Sequence, residues 1–175
     1  MVHYQTTVKR APIPKKAQVE VFRRDHWLWH WCGRPVIFAP AMRYLNHFAR
    51  ISGFTEQLAY HHPHWTRRDA PLLDYMGAVI DHIEAHSGGG RSDKANLVTA
   101  CCKCNALKSD AKFEVFQAKL QRHTVKGKYG EPEHWDGLST LFVILIELHP
   151  RMASESERDW LKCIKPITTA GKETL

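Results

Sequence analysis

A strand, a glycine loop, a second strand and a helix follow one another between Gly77 and Arg122, and this order constrains the chain more than any other feature. Gly77-Ala78-Val79-Ile80-Asp81-His82-Ile83 reads as a strand ending in polar chemistry. Ser87-Gly88-Gly89-Gly90-Arg91-Ser92-Asp93 reads as a flexible loop. Asn96 to Thr99 reads as the return strand, and Cys104 to Arg122 as a helix with Phe113, Phe116 and Leu120 along one face. Gly88-Gly89-Gly90 lacks the Gly-Lys-Ser/Thr ending of a phosphate loop, so the glycines do not by themselves indicate nucleotide binding.

The same stretch carries a carboxylate, an imidazole, carboxamides and thiols, a set that core packing does not require. Asp81 and Asn105 offer hard oxygen donors of the kind Mg²⁺ or Mn²⁺ prefers. His82 follows Asp81 on the strand, so alternation turns it to the opposite side, where an imidazole titrating near neutrality is placed to take a proton from water. Lys108 lies three residues beyond Asn105, on the same face of a helix.

From Val79 to Asp110 these residues resemble the HNH nuclease family, and the resemblance is weaker over Phe22 to Val36. It implies an α+β protein with a ββα-metal core, and metal-dependent hydrolysis of DNA phosphodiester bonds, with RNA left open as a substrate. It implies that Asp81 and Asn105 hold one Mg²⁺, that His82 is the general base, and that Asn96 braces the loop. By the same resemblance Lys108 neutralises charge at the phosphate and His86 touches phosphate. Arg91 in the loop joins the substrate-binding candidates.

The family also implies a zinc knuckle, and here the pattern is incomplete. Cys101 and Cys104 have the two-residue spacing of one half. The other half has Trp29 where a cysteine is expected before Cys32. Two outcomes stay open: His30 or His26, or less favourably the distant Cys163, completes a zinc site, or zinc is lost and Trp29 packs in its place. Cys102 reads as a small core residue, and a redox reading of the pair lacks a surrounding βαβ pattern.

The rest of the chain divides around this core. Residues 1–18 form a basic arm with Lys9, Arg10, Lys15 and Lys16, interrupted by Pro12 and Pro14. Residues 19–125 form the expected nuclease domain, with an insertion at about 39–76 that includes a helical stripe over Ala41 to Ile51 and a shorter helical candidate over Asp69 to Met76. Within the insertion, His61-His62-Pro63-His64-Trp65 with Arg67 and Arg68 has two main readings, DNA contact with cations on phosphate and Trp65 stacking, or a locally capped loop; a second metal site is a distant third.

Residues 126–175 form a helical C-terminal extension. In it Leu138 to Leu148 is apolar nearly all round and reads as a buried helix, with a core strand also compatible with its periodicity, followed by an amphipathic helix over Glu155 to Ile164. Exposure of the first helix would favour a nuclease that depends on a protein partner. A catalytically silent, zinc-stabilised DNA-binding module is the other rival, and an intact Asp81, His82 and Asn105 argues against it.

The absence of a secretory pattern and of any long apolar run sets a cytoplasmic, reducing location with no membrane contact as the expectation. That favours metal ligation over disulfides for the five cysteines. Lys and Arg total 25 against 18 Asp and Glu, a net charge of +7 that favours a polyanionic partner. Binding to DNA should therefore weaken steeply from low to moderate salt and depend little on sequence, because phosphate contacts release counterions and carry no base information. A salt titration on two unrelated duplexes checks this, and a flat response contradicts it.

Overall fold

The computed structural model describes residues 11–31, 33–55, 76–109, 111, 114–116 and 135–168. Among them are five α-helices and one two-stranded antiparallel sheet, the α+β mixture expected. In chain order these are α1 (Lys15–Arg24), α2 (Ala39–Ile51), β1 (Ala78–His82), β2 (Leu97–Cys101), α3 (Cys102–Lys108), α4 (Ser139–Leu148) and α5 (Glu155–Thr168). Thus β1, β2 and α3 run consecutively in ββα order.

β1 pairs with β2 from Ala78 opposite Cys101 to His82 opposite Leu97. The register puts Asp81 opposite Val98 near the loop end of the hairpin. Beyond that end, Ile83 N–H donates to the Asn96 carbonyl at 2.9 Å and closes the connecting loop. α1 lies across β2. Arg24 donates to the carbonyls of Lys94 and Leu97, each at 2.7 Å, and Thr99 N–H donates to Asp25 Oδ2 at 2.7 Å. An exposed Lys94–Glu20 ion pair joins the loop to the same helix.

The remaining helices pack around this hairpin. Trp27, Phe38, Tyr44 and Phe142 are buried together, with Phe38 edge-on to both Phe142 and Trp160. Asp136 caps α4, accepting from the N–H groups of Leu138 and Thr140 and from Ser139 Oγ. Ahead of that cap Gly137 takes φ +67 with Trp27 against it; a Cβ there would lie 2.3 Å from the indole. Tyr44 Oη donates to the His149 carbonyl at 2.8 Å at the far end of α4. Ser154 and Glu157 cap α5 reciprocally.

Three expectations change. The helix expected over Cys104 to Arg122 starts at Cys102 and stops at Lys108, because Ser109 adopts φ +49 and turns the chain. A helical turn resumes at Glu114–Phe116, where Phe116 is buried against Trp29; Phe113 and Leu120 lie outside the described residues. α4 is not buried all round. Phe142, Val143 and Ile146 face the core, while Leu141, Ile144 and Leu148 are exposed on the other side. The loop expected to be flexible is folded, with a 3₁₀ turn at His86–Gly88, Gly89 at φ +98 and backbone bonds back to Ala85. The Asp69 to Met76 helical candidate falls outside the described residues except for Met76, which is in a turn. Among the described residues no helix is long and apolar enough to cross a membrane.

Asp25 joins α1 to β2 and has a pH consequence. Burial pushes its carboxyl up, but hydrogen bonds from Arg24 and Thr99 outweigh burial and hold it below the usual carboxylate range. The folded state therefore gains stability from this group at neutral pH, and the gain disappears as pH falls through the folded pKa. Asp25→Ala should lose about 1–3 kcal/mol at pH 7, from the stranded Thr99 N–H. The deficit should shrink in acid. Denaturant unfolding at neutral and acidic pH measures both.

Candidate active site

Asp81 sits at the end of β1 and is 7% exposed. Its Oδ1 accepts from the backbone N–H of His82 at 2.7 Å and from Lys108 Nζ at 3.0 Å. Lys108 is 1% exposed and also donates to the His82 carbonyl at 2.6 Å. It closes the short helix α3, and α3 packs on both strands. A buried ammonium requires a paired charge and further acceptors, and this one has a carboxylate and a carbonyl. Lys108 thus meets Asp81, whereas the family resemblance implied a role at the phosphate.

The second carboxylate oxygen, Asp81 Oδ2, is buried and has no hydrogen-bond partner among the described residues. A buried anionic oxygen without a donor is costly, so this atom is suited to a cation. Asn105 is half-buried on α3, three residues before Lys108. A carboxylate and a carboxamide oxygen are hard donors of the kind Mg²⁺ takes while keeping several waters. Among the described residues no three His, Cys, Asp or Glu side chains group as a metal centre.

His82 is 3% exposed, and its Nε2 lies 3.0 Å from Ser92 Oγ. Asn96 organises the loop between them. Its Oδ1 accepts from Glu84 N–H at 2.8 Å, and its Nδ2 donates to the carbonyls of Glu84 and Arg91 at 3.1 and 2.8 Å. Its own N–H donates to Asp93 Oδ1 at 3.0 Å. Gly90 fits only because it lacks a Cβ, which would stand 2.0 Å from the Glu84 carbonyl oxygen. His86 and Arg91 are exposed on this loop. Arg67, Arg68 and Trp65 lie outside the described residues.

The thiols form a separate group. Cys101, Cys102 and Cys104 are buried and reduced, and Trp29 belongs to the same buried cluster as Cys101 and Cys104. The Cys101 thiol is pulled down to about 7. A hydrogen bond from the Cys104 side chain is the main cause, burial opposes it, and the Arg34 guanidinium assists. Cys32 lies outside the described residues. His30 is exposed, with its ring edge-on to Trp31 at 4.5 Å. Among the described residues, Cys101 and Cys104 are the two of the expected zinc-knuckle residues that come together.

Sequence reasoning selected Asp81, His82, Asn96, Asn105 and Lys108; Asp81, His82 and Lys108 are linked by direct hydrogen bonds, while Asn96 bonds to the loop at Glu84, Arg91 and Asp93. It missed Ser92, whose only sequence signal is its place just after the glycines. The Asp81–Lys108 pair yields a stability prediction. Lys108→Met should cost about 3–5 kcal/mol, because it leaves a buried carboxylate without its cation. Asp81→Asn combined with Lys108→Met should recover part of that loss in thermal melts.

Residues 69–111 match the family model described as HNH endonuclease. The matched interval contains β1, β2, α3 and all five selected residues. No curated protein and no solved structure matches the chain. The segment that carries the buried Asp81–Lys108 pair, His82 and the Asn96-braced loop is thus the part of the chain that matches the HNH endonuclease family.

Proposed function

We propose that the protein is a metal-dependent endonuclease that hydrolyses DNA phosphodiester bonds, with the ββα segment as its core, an insertion before it and a helical extension after it. The observation that carries this reading is the Asp81 carboxylate: one oxygen is fixed twice, the other is buried without a partner among the described residues, and His82 is the next residue.

Asp81 and Asn105 would hold one Mg²⁺ or Mn²⁺. When bound, the ion supplies positive charge to the scissile phosphate and the leaving oxygen. His82 takes the proton from the attacking water as general base. Lys108 fixes the orientation of Asp81 and offsets its charge. Asn96 holds the loop that covers the base, and exposed His86 and Arg91 offer donors to the phosphate backbone. The basic excess of the chain attracts that backbone.

A second reading, a nuclease that works with a protein partner, is favoured by the exposure of Leu141, Ile144 and Leu148 along one side of α4. The two readings separate on purified protein: the first expects activity from the isolated chain.

Supercoiled plasmid should be nicked or cut in Mg²⁺ or Mn²⁺ and left intact in EDTA. His82→Ala should slow cleavage by roughly 10²–10⁴-fold with DNA binding preserved. Asn105→Ala should raise the Mg²⁺ concentration needed for half-maximal rate. Wild-type activity in His82→Ala would defeat the assignment of the base, and an unchanged Mg²⁺ titration in Asn105→Ala would defeat ligation there.

A further inference from the structure

We infer that Ser92 is the positioning residue of His82, the side chain through which the Asn96-braced loop orients the base; the inference rests on the nuclease reading. The contact is direct, with Ser92 Oγ 3.0 Å from His82 Nε2. A ring that is 3% exposed takes its orientation from its neighbours rather than from water.

The loop holds Ser92 from both sides. Asn96 Nδ2 binds the carbonyl of Arg91, the residue before it. Asn96 N–H binds both the carbonyl and Oδ1 of Asp93, the residue after it. Asn96 also grips both backbone groups of Glu84, two residues beyond His82. One carboxamide side chain therefore fixes both ends of the path that joins Ser92 to the base. Gly90 allows this close folding, since any larger residue would strike the Glu84 carbonyl and Asn96 Nδ2.

The contact also selects a tautomer. A serine hydroxyl can donate to an imidazole nitrogen or accept from it. If Ser92 donated, the Nε2 lone pair would be engaged and the ring proton would sit on Nδ1, leaving no nitrogen to take a proton. A base therefore requires that Ser92 accept from Nε2–H, which puts the lone pair on Nδ1. The partner on one ring nitrogen sets the state of the other, and that is the role of Ser92 here.

Two measurements on the full chain test this. The first is ¹⁵N NMR of the His82 ring in metal-free protein, comparing wild type, Ser92→Ala and Ser92→Thr. Wild type and Ser92→Thr should show the Nε2–H tautomer, and Ser92→Ala a mixture. The second is plasmid cleavage with Mg²⁺. Ser92→Ala should lower kcat roughly 10–100-fold, the scale at which outer partners of a functional imidazole act. KM should stay unchanged and Ser92→Thr should restore the rate.

Wild-type kcat in Ser92→Ala would overturn the inference. So would a lowered kcat with the tautomer unmoved, or Ser92→Thr behaving as Ser92→Ala in both readouts. If wild type cleaves nothing, the nuclease reading fails, and the NMR comparison still decides whether Ser92 sets the His82 tautomer.

Discussion

The buried ion pair between Lys108 and Asp81 is the interaction on which the site depends. It joins the last residue of α3 to the end of β1, so it ties together the helix and the hairpin of the ββα segment. Both partners are nearly excluded from water, where a lone charge is very costly and a pair is tolerated only with further hydrogen bonds. The His82 carbonyl and N–H supply those bonds. The backbone of the proposed base is therefore part of the network that holds the proposed metal ligand, and neither residue moves without the other.

Around this pair the hairpin is supported from two directions. α1 grips β2 and the end of the loop through Arg24 and Asp25, and the aromatic cluster of Trp27, Phe38 and Phe142 fixes α1 against α2, α4 and α5. At the loop end, Asn96 replaces the core: loop backbone groups that would otherwise face solvent are bound to one side chain. Packing orders the end of the hairpin away from the loop and hydrogen bonding orders the loop end, which is where chemistry requires polar groups.

Much of this arrangement is written locally and so is readable in sequence. β1 and β2 lie within a residue or two of their expected ends, because strand alternation and glycine punctuation are short-range signals. The role of Asn96 as a brace agrees with its three side-chain bonds. α2 forms where its apolar stripe was read, though Ile51 at its end is exposed and Tyr44, outside the stripe, is fully buried. What was not readable depends on partners distant in sequence. A lysine on a helix reads as solvent-facing until a carboxylate 27 residues away draws it inward. The turn at Ser109 comes directly after that docked lysine, with no strong breaker in Cys104 to Arg122 to announce it. The exposed side of α4 is chemically indistinguishable from its buried side, so only packing tells them apart. Ser92 has no motif of its own, and its contact appears only once the loop is folded.

The bonds of the Asn96 side chain all end on main-chain atoms, the N–H and carbonyl of Glu84 and the carbonyl of Arg91. Every residue type except proline provides both of these groups. The frame is therefore indifferent to which side chains project from most of the loop. His86, Arg91 and Lys94 can be exchanged for other residues while the scaffold beneath the base persists. Such a division between a fixed frame and an interchangeable fringe gives evolution a means of retuning which nucleic acid the loop meets without rebuilding the centre it covers.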